Sequence, residues 1–357
     1  MLTSLFTLTL VLSGFATPYK RAASLSVSLS GPRTNITSID DLRFTATVSN
    51  TGSESARILK YGTVLDDILL TRSSTVTKDG QTVPFTGIKL TVSLEDIGDS
   101  AFAIISPGES ITVNHELSTL FDFASAGPGT FTFAAVTSFQ TASHKARITD
   151  TASVDQVFVS SSSVDVHISG DLAKRDLPIL DTRAVDICTS SSSKSFIDAS
   201  YTEAKSLASI ASSYIATNGA NSLYAAYYGA TSTSTIRGVF NNVASESSRS
   251  RTLSCTDTFR ACSSGVIAYT VISTTNIYFC SLFFNEVPST NLCRGTSVAS
   301  RNVRGGTTLH ELTHATSGTD DVIYGCANDQ ALSDANQRIN ADNYNCFSTQ
   351  VYQNTQC

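Results

Sequence analysis

The chain has 357 residues, with 24 Lys and Arg against 30 Asp and Glu, a formal net charge of −6 and no Trp. That length is enough for two domains that each bury a core, and the mild acidity without any basic run excludes a nucleic-acid partner. Beyond Ala16 no stretch is apolar for long enough to span a bilayer, so no membrane partner is expected either.

In chain order, Leu2 to Ala16 is an apolar leader of signal-peptide length ending in Gly14-Phe15-Ala16, a small-x-small cleavage pattern. Residues 1–16 are therefore expected to be a signal peptide and the protein to be secreted and extracellular. From Ser24 to Ser169 the apolar residues recur with period two, as in Leu25, Val27 and Leu29, in Phe44, Ala46 and Val48, in Ile88, Leu90 and Val92, in Phe131, Phe133 and Ala135, and in Val164, Val166 and Ile168. Turn signals at Asn50-Thr51-Gly52, Lys78-Asp79-Gly80 and Gly127-Pro128-Gly129 separate these runs, and Ser160 to Ser163 is a short polar break. An antiparallel β-sandwich that folds by itself is the expectation. Asn35-Ile36-Thr37 is a glycosylation sequon expected in a surface loop. His115-Glu116 lies in an alternating run and reads as structural.

Lys174-Arg175, followed by Arg183, stands where the composition changes. In a secreted precursor such a dibasic pair reads as a maturation site. Residues 17–175 are then a propeptide, extending to 183 if the second basic site is used, and the mature chain starts at Asp176 or at Ala184. All eight cysteines lie from Cys188 onwards, which fits disulfides formed in an oxidising compartment. Helix-like spacing runs over Ser195 to Ala216 (Ile197, Tyr201, Ala204, Leu207, Ala211, Tyr214) and over Ser234 to Ser248. Cys262 to Phe284 is β-like, with Val266, Ala268, Thr270 and Ile272 alternating before the aromatic run Ile277-Tyr278-Phe279, and further helices are expected over Asp329 to Ile339 and Ala341 to Gln353. The aromatics Tyr227-Tyr228 and Phe283-Phe284 read as core or cleft wall. The fold class is α+β: an N-terminal all-β sandwich-like domain, then a mostly helical domain, 184–357, with a small sheet and disulfides.

The chemistry concentrates in Thr307 to Gly325, TTLHELTHATSGTDDVIYG. On a helix His310 and His314 stand one turn apart on one face, so both imidazoles can reach one metal ion with Glu311 beside them. With five His in the chain, a chance His-Glu-x-x-His is expected at a frequency on the order of one in a thousand. A zinc ion so held polarises a carbonyl and acidifies a water, and the adjacent carboxylate accepts and returns the proton. Gly318 is expected to stop the helix and turn the chain back towards the metal. The segment after Arg183 has no other histidine, so the third ligand should be a carboxylate, with Asp320, Asp321 and Asp342 as the candidates.

His310-Glu311-Leu312-Thr313-His314 followed by Gly318-Thr319-Asp320-Asp321-Val322-Ile323-Tyr324-Gly325 resembles the aspzincin pattern, HExxH followed by GTxDxxYG. The chain is similar over most of its length to the fungal deuterolysins, although only Ala315-Thr316-Ser317 separate His314 from the GTxD glycine. The resemblance implies a zincin-like catalytic domain and a zinc-dependent endopeptidase with His310, His314 and Asp321 as ligands, Glu311 as catalytic base and Tyr324 near the reacting carbonyl. Asp320 then takes the variable position and points to solvent, while Asp342 accepts an N–H from a ligating histidine. The resemblance also implies the order signal, propeptide, protease, and disulfides Cys188–Cys255, Cys262–Cys280 and Cys293–Cys357. Cys326–Cys346 follows by subtraction, among roughly a hundred pairings that eight cysteines allow.

A secreted zinc endopeptidase acting on proteins and peptides, basic proteins among them, is the leading expectation, as a monomer with its propeptide in cis. The alternative is a secreted non-catalytic zinc-binding protein. Structural zinc sites are closed by four ligands, whereas two His and a carboxylate leave a position open. A serine hydrolase would need a nucleophile elbow and a spare histidine in the second half, and neither is present.

Overall fold

The computed structural model describes residues 24–142, 154–175, 177, 188 and 190–357. The leader Leu2 to Ala16 and the basic Arg183 lie outside them. Mixed α and β structure follows the change of period along the chain. In Leu25–Ser30 every second residue is buried, and this strand pairs antiparallel with Arg43–Asn50, which pairs in turn with Ser110–Glu116. A five-stranded sheet runs in the order Asn35–Ser38, Val164–Asp171, Gly129–Ala135, Ser74–Lys78, Gln81–Thr82. A third sheet joins Val154–Phe158, Ser138–Ala142, Ala56–Leu59 and Phe102–Ile105. Phenylalanines fill the space between layers, with Phe44 and Phe133 ring centroids 4.6 Å apart. Asp79 and Gly80, at φ 52° and 76°, form the two-residue hairpin turn that a twisted strand pair requires.

Two expectations for this half change. The pairing of Val164–Asp171 with Asn35–Ser38 is parallel, so the sheets are not purely antiparallel. Asn35 opens that edge strand instead of sitting in a loop, though its side chain is exposed. His115 is buried in its strand with Nε2 3.0 Å from the Val64 carbonyl.

The larger departure is Ile88–Val92. Its alternating Ile88, Leu90 and Val92 read as one more sandwich strand, yet it pairs with Val266–Val271 and becomes the edge of the small sheet of the second half, in the order Leu253–Ser254, Asn276–Phe279, Val266–Val271, Ile88–Val92. All five of its residues are buried, Lys89 and Thr91 included. Alternation marks which side chains face a sheet's core but carries no information about which sheet receives the strand.

The second half is built on the helix Ser191–Asn218, capped by Ser190, whose hydroxyl accepts from the Ser193 N–H, and closed by Gly219 at φ 61°. It buries Ile197, Ala204, Leu207, Ala208, Ala211 and Ile215 against the helices Thr233–Ala244 and Arg304–Ser317, with Tyr201 and Tyr214 at the margin. A short helix, Ser222–Tyr228, adds Tyr224, Tyr227 and Tyr228 to the core. The region read as one helix over Asp329 to Ile339 is two, Cys326–Gln330 and Asp334–Ile339, and the chain ends in Ala341–Gln356. Four disulfides, Cys188–Cys255, Cys262–Cys280, Cys293–Cys357 and Cys326–Cys346, tie this half together. They close loops of between 18 and 67 residues, each contributing about 3 to 4 kcal/mol in the chain-entropy view. Among the described residues no helix is long and apolar enough to cross a membrane.

The helix Arg304–Ser317 runs through the centre, buried on every side from Gly305 to His314. Two glycines permit that. A Cβ on Gly305 would stand 2.7 Å from Glu203 Cβ, and one on Gly306 2.3 Å from Asn345 Oδ1, so the neighbouring helices close on bare backbone. Beneath the first turn Glu286 accepts from Thr307 Oγ1 at 2.7 Å, while its other oxygen has no hydrogen-bond partner among the described residues. Burial pushes this carboxyl up to about 8, from 4.5. The unfolded chain therefore releases the proton at lower pH than the folded one, and Glu286 costs stability progressively between those values as pH rises. Glu286→Gln keeps the acceptor and removes the ionisation. Its melting temperature should match wild type near pH 4 and exceed it at pH 8, where the ionisation penalty it removes is on the order of a few kcal/mol. A melting-temperature difference that does not grow with pH would contradict the assignment.

Candidate metal centre and active site

Helical spacing places His310 and His314 one turn apart on the inner face of the central helix, with ring centroids 4.8 Å apart. Gly318, at φ 67°, accepts the left-handed conformation that ends the helix, and its N–H bonds to the His314 carbonyl at 3.2 Å. The chain then doubles back. Asp320 pairs with the Ile339–Ala341 backbone through its own N–H and C=O, at 2.7 and 2.9 Å, which holds this segment against the start of the last helix. Asp321 is delivered to the two rings, its Oδ1 standing 3.0 Å from His310 Nε2 and 3.0 Å from His314 Nε2.

Burial opposes charge on Asp321 and on His310, but the groups around them answer it. Burial works against the Asp321 carboxylate, yet the His314 and His310 rings hold it well below the usual range. Burial likewise opposes a charged His310, but the Asp321 and Asp342 carboxylates outweigh it and lift that ring to about 9. Around the pair, His314 Nδ1 lies 2.8 Å from the Thr319 carbonyl, so its proton sits there and Nε2 keeps a free lone pair directed inwards. One donor atom from each of His310, His314 and Asp321 lies within 4.8 Å of the other two. Two imidazole nitrogens and one carboxylate oxygen converging in a buried site fit a zinc ion and leave a fourth position open.

Asp342 and Asp320 depart from expectation. Asp342 is fully buried beside His310, but the nearest approach, Nδ1 to Oδ1, is 3.6 Å, too long for the expected hydrogen bond. The carboxylate is instead taken by Arg301, whose Nε donates at 2.9 Å, and by the Gly325 N–H at 2.7 Å. Arg301 is the stronger claimant, being a fixed cation with several donors. Asp320 does not face solvent: only 23% of its side chain is exposed, and it pairs with Arg72 at 2.8 Å and Lys89 at 2.8 Å. Burial would raise its pKa, but Lys89 and Arg72 bring it below the ordinary value.

Glu311 lies between two threonines. Thr270 Oγ1 donates to Oε2 at 2.5 Å and Thr91 Oγ1 to Oε1 at 2.6 Å, while burial raises the carboxyl's pKa against the pull of both histidines. Thr270 belongs to the second half and Thr91 to the strand Ile88–Val92 from the first. That strand crosses the whole site. The Leu90 N–H donates to Asp321 Oδ2 at 2.8 Å, Tyr324 OH donates to the Leu90 carbonyl at 3.1 Å, and Arg301 donates to the Val92 carbonyl at 2.9 Å. Lys89 donates to the Thr319 carbonyl. The site therefore unites His310, His314, Asp321, Glu311 and Tyr324, all near one another in sequence, with Lys89, Leu90, Thr91, Thr270 and Arg301, which no spacing points to. The only sequence signal for the strand is a lysine and a threonine on the polar side of an otherwise ordinary alternation.

Among the described residues this arrangement alone brings two imidazoles and a carboxylate to a common point, with a second carboxylate alongside. Such a centre on a mixed α and β scaffold defines a zinc-dependent hydrolase. The sequence pattern of the deuterolysin metalloprotease (M35) family matches residues 1–357, and the chain belongs to that family. It is thus a zinc metalloendopeptidase, with proteins and peptides as its substrates. A neutral protease 2 homolog of Phaeosphaeria nodorum is 32% identical, the match covering 93% of each chain. Penicillolysin of Penicillium citrinum is 27% identical over 92% of this chain and 94% of its own. A solved zinc peptidase from Grifola frondosa is 28% identical, covering 45% of this chain and 96% of that one at a TM-score of 0.37.

Proposed function

We propose that the chain is the latent precursor of a secreted zinc endopeptidase in which His310, His314 and Asp321 hold the metal and Glu311 is the general base. The observation that carries this reading is the convergence of the three donor atoms beside the Glu311 carboxylate. A zinc ion in that position supplies Lewis acidity to a substrate carbonyl and to water. Glu311 takes the proton from the attacking water and returns it to the departing amine, as a carboxylate with a raised pKa does readily. Thr270 holds one oxygen of Glu311 and so aims the other at the cleft. Tyr324 donates its phenolic hydrogen to the oxyanion of the tetrahedral intermediate. Arg301 positions a substrate carbonyl on one side of the cleft and anchors Asp342 on the other.

In this reading residues 17–175 are a propeptide in cis, extending to 183 if Arg183 is used, the mature protease starts at Asp176 or Ala184, and the protein is a monomer. The first half contributes no cysteine to block the metal. Its strand Ile88–Val92 supports a different mode of inhibition: it adds to the sheet edge where an extended substrate would pair, and the Thr91 hydroxyl takes the oxygen of Glu311 that a water needs. Secretion is supported by the apolar leader and by four disulfides, which persist in oxidising compartments. The non-catalytic alternative finds less support, since nothing else among the described residues closes the three-donor set.

The precursor carrying Lys174→Ala, Arg175→Ala and Arg183→Ala should cleave a denatured protein mixture at less than about a hundredth of the rate of processed enzyme, a loss set by exclusion of substrate from the cleft. A chelator should abolish the processed activity and zinc restore it. Full chelator-sensitive activity of the uncut form would remove the latency, and chelator-resistant activity would remove the zinc mechanism.

A further inference from the structure

The strand Ile88–Val92 lies antiparallel on Val266–Val271, with Lys89 opposite Thr270 and Leu90 opposite Tyr269. Its backbone is held as a substrate's would be: Tyr324 OH is on the Leu90 carbonyl and Arg301 on the Val92 carbonyl. Given the peptidase reading above, on which this step rests, the Leu90 carbonyl stands where a reacting carbonyl would receive the Tyr324 hydrogen bond. Lys89 is then the residue before it. Its side chain, only 8% exposed, ends on two acceptors of the second half, the Thr319 carbonyl and Asp320 Oδ1 at 2.8 Å.

We infer that Asp320, with the Thr319 carbonyl, is a specificity subsite for a basic side chain at the second substrate residue before the scissile bond, and that Lys89 fills it in the precursor. Three features distinguish it from an incidental ion pair between the halves. First, both cations that neutralise Asp320, Lys89 and Arg72, come from the first half, so departure of that half leaves a largely buried carboxylate without either of them. Second, the subsite is built in advance, because the Asp320 backbone is fixed to Ile339 and Ala341 and the Thr319 carbonyl is already oriented by His314. Third, Lys89 shares its face of the strand with Thr91, whose hydroxyl reaches Glu311, so the same register that lays a basic group on Asp320 brings the following peptide to the base. A neutral side chain of equal length entering this place would leave the carboxylate desolvated and unpaired.

The test uses processed enzyme and two fluorogenic peptides spanning the sequence Thr86 to Leu94, one with Lys and one with norleucine at the position of Lys89. The Lys peptide should be cleaved after the Leu90 position with at least about tenfold higher kcat/KM, the scale on which a buried charge pair discriminates. The same preference should appear in fluorescence anisotropy with processed Glu311→Gln protein, which binds without turning over. In Asp320→Asn the two peptides should differ by less than about twofold, because the charge that discriminates between them is gone. If Asp320→Asn precursor fails to fold, a third peptide with Glu at that position, expected to bind worst of all, keeps the question open to refutation on the wild-type protein. Equal binding of the Lys and norleucine peptides overturns the subsite, as does a lysine preference that survives Asp320→Asn. Lysine-selective binding with no zinc-dependent cleavage of any peptide would instead uphold the subsite and sink the peptidase reading.

Discussion

Glu311→Gln is expected to fold, to bind one zinc ion and to lose at least about three orders of magnitude in kcat/KM, because the water loses its proton acceptor while all three metal donors remain. The side chain is wholly buried with both oxygens hydrogen-bonded, and an amide of the same shape can still accept from Thr270. The loss would therefore be chemical, with packing unchanged. Tyr324→Phe provides the scale for comparison. Removing one oxyanion donor costs about a hundredfold or somewhat more, so the phenylalanine variant should sit clearly above the glutamine variant at unchanged zinc content. Turnover by Glu311→Gln within about tenfold of wild type would rule out its role as the base.

Asp321→Asn should lose the metal outright. Its Oδ1 stands 3.0 Å from both imidazoles, and no other carboxylate oxygen among the described residues shares that point with them. An amide oxygen is a neutral and weaker donor, and the buried centre would carry the zinc charge uncompensated. Zinc affinity measured by competition with a chromophoric chelator should fall by more than the roughly ten- to hundredfold that loss of an outer partner costs. Asp342→Asn belongs in that smaller range, since Asp342 acts on His310 across 3.6 Å and spends its hydrogen bonds on Arg301 and Gly325. Asp320→Asn should leave zinc affinity unchanged, because its partners are Lys89 and Arg72. A ranking with Asp342 ahead of Asp321 would reassign the third ligand.

Membership of the deuterolysin family gives these effects a common frame: one central helix carries the proposed base and two of the proposed donors, and the segment after Gly318 carries the rest. The pH behaviour of Glu286 is separate from it. That carboxyl lies under the helix start against Thr307, a turn away from His310, and acts on stability through the fold alone.

The His310, Glu311 and His314 constellation was legible in the sequence because helix geometry is local: a spacing of four fixes two side chains on one face whatever surrounds them. The Gly318 turn was legible for the same reason, since only a residue tolerant of positive φ ends a helix in that way. Period-two runs marked the strands of the first half and period-three-and-four runs the long helix Ser191–Asn218, each being a statement about which side of an element meets a core. Those patterns were silent on partners. Tertiary structure decided that Ile88–Val92 leaves the sandwich to lie along Val266–Val271, that Thr91 and Thr270 flank Glu311, that Arg301 claims Asp342, and that Asp320 faces Lys89 and Arg72 instead of water. Contacts between residues some 40 to 250 positions apart depend on how whole sheets and helices dock, and periodicity in one segment carries no record of the segment it meets.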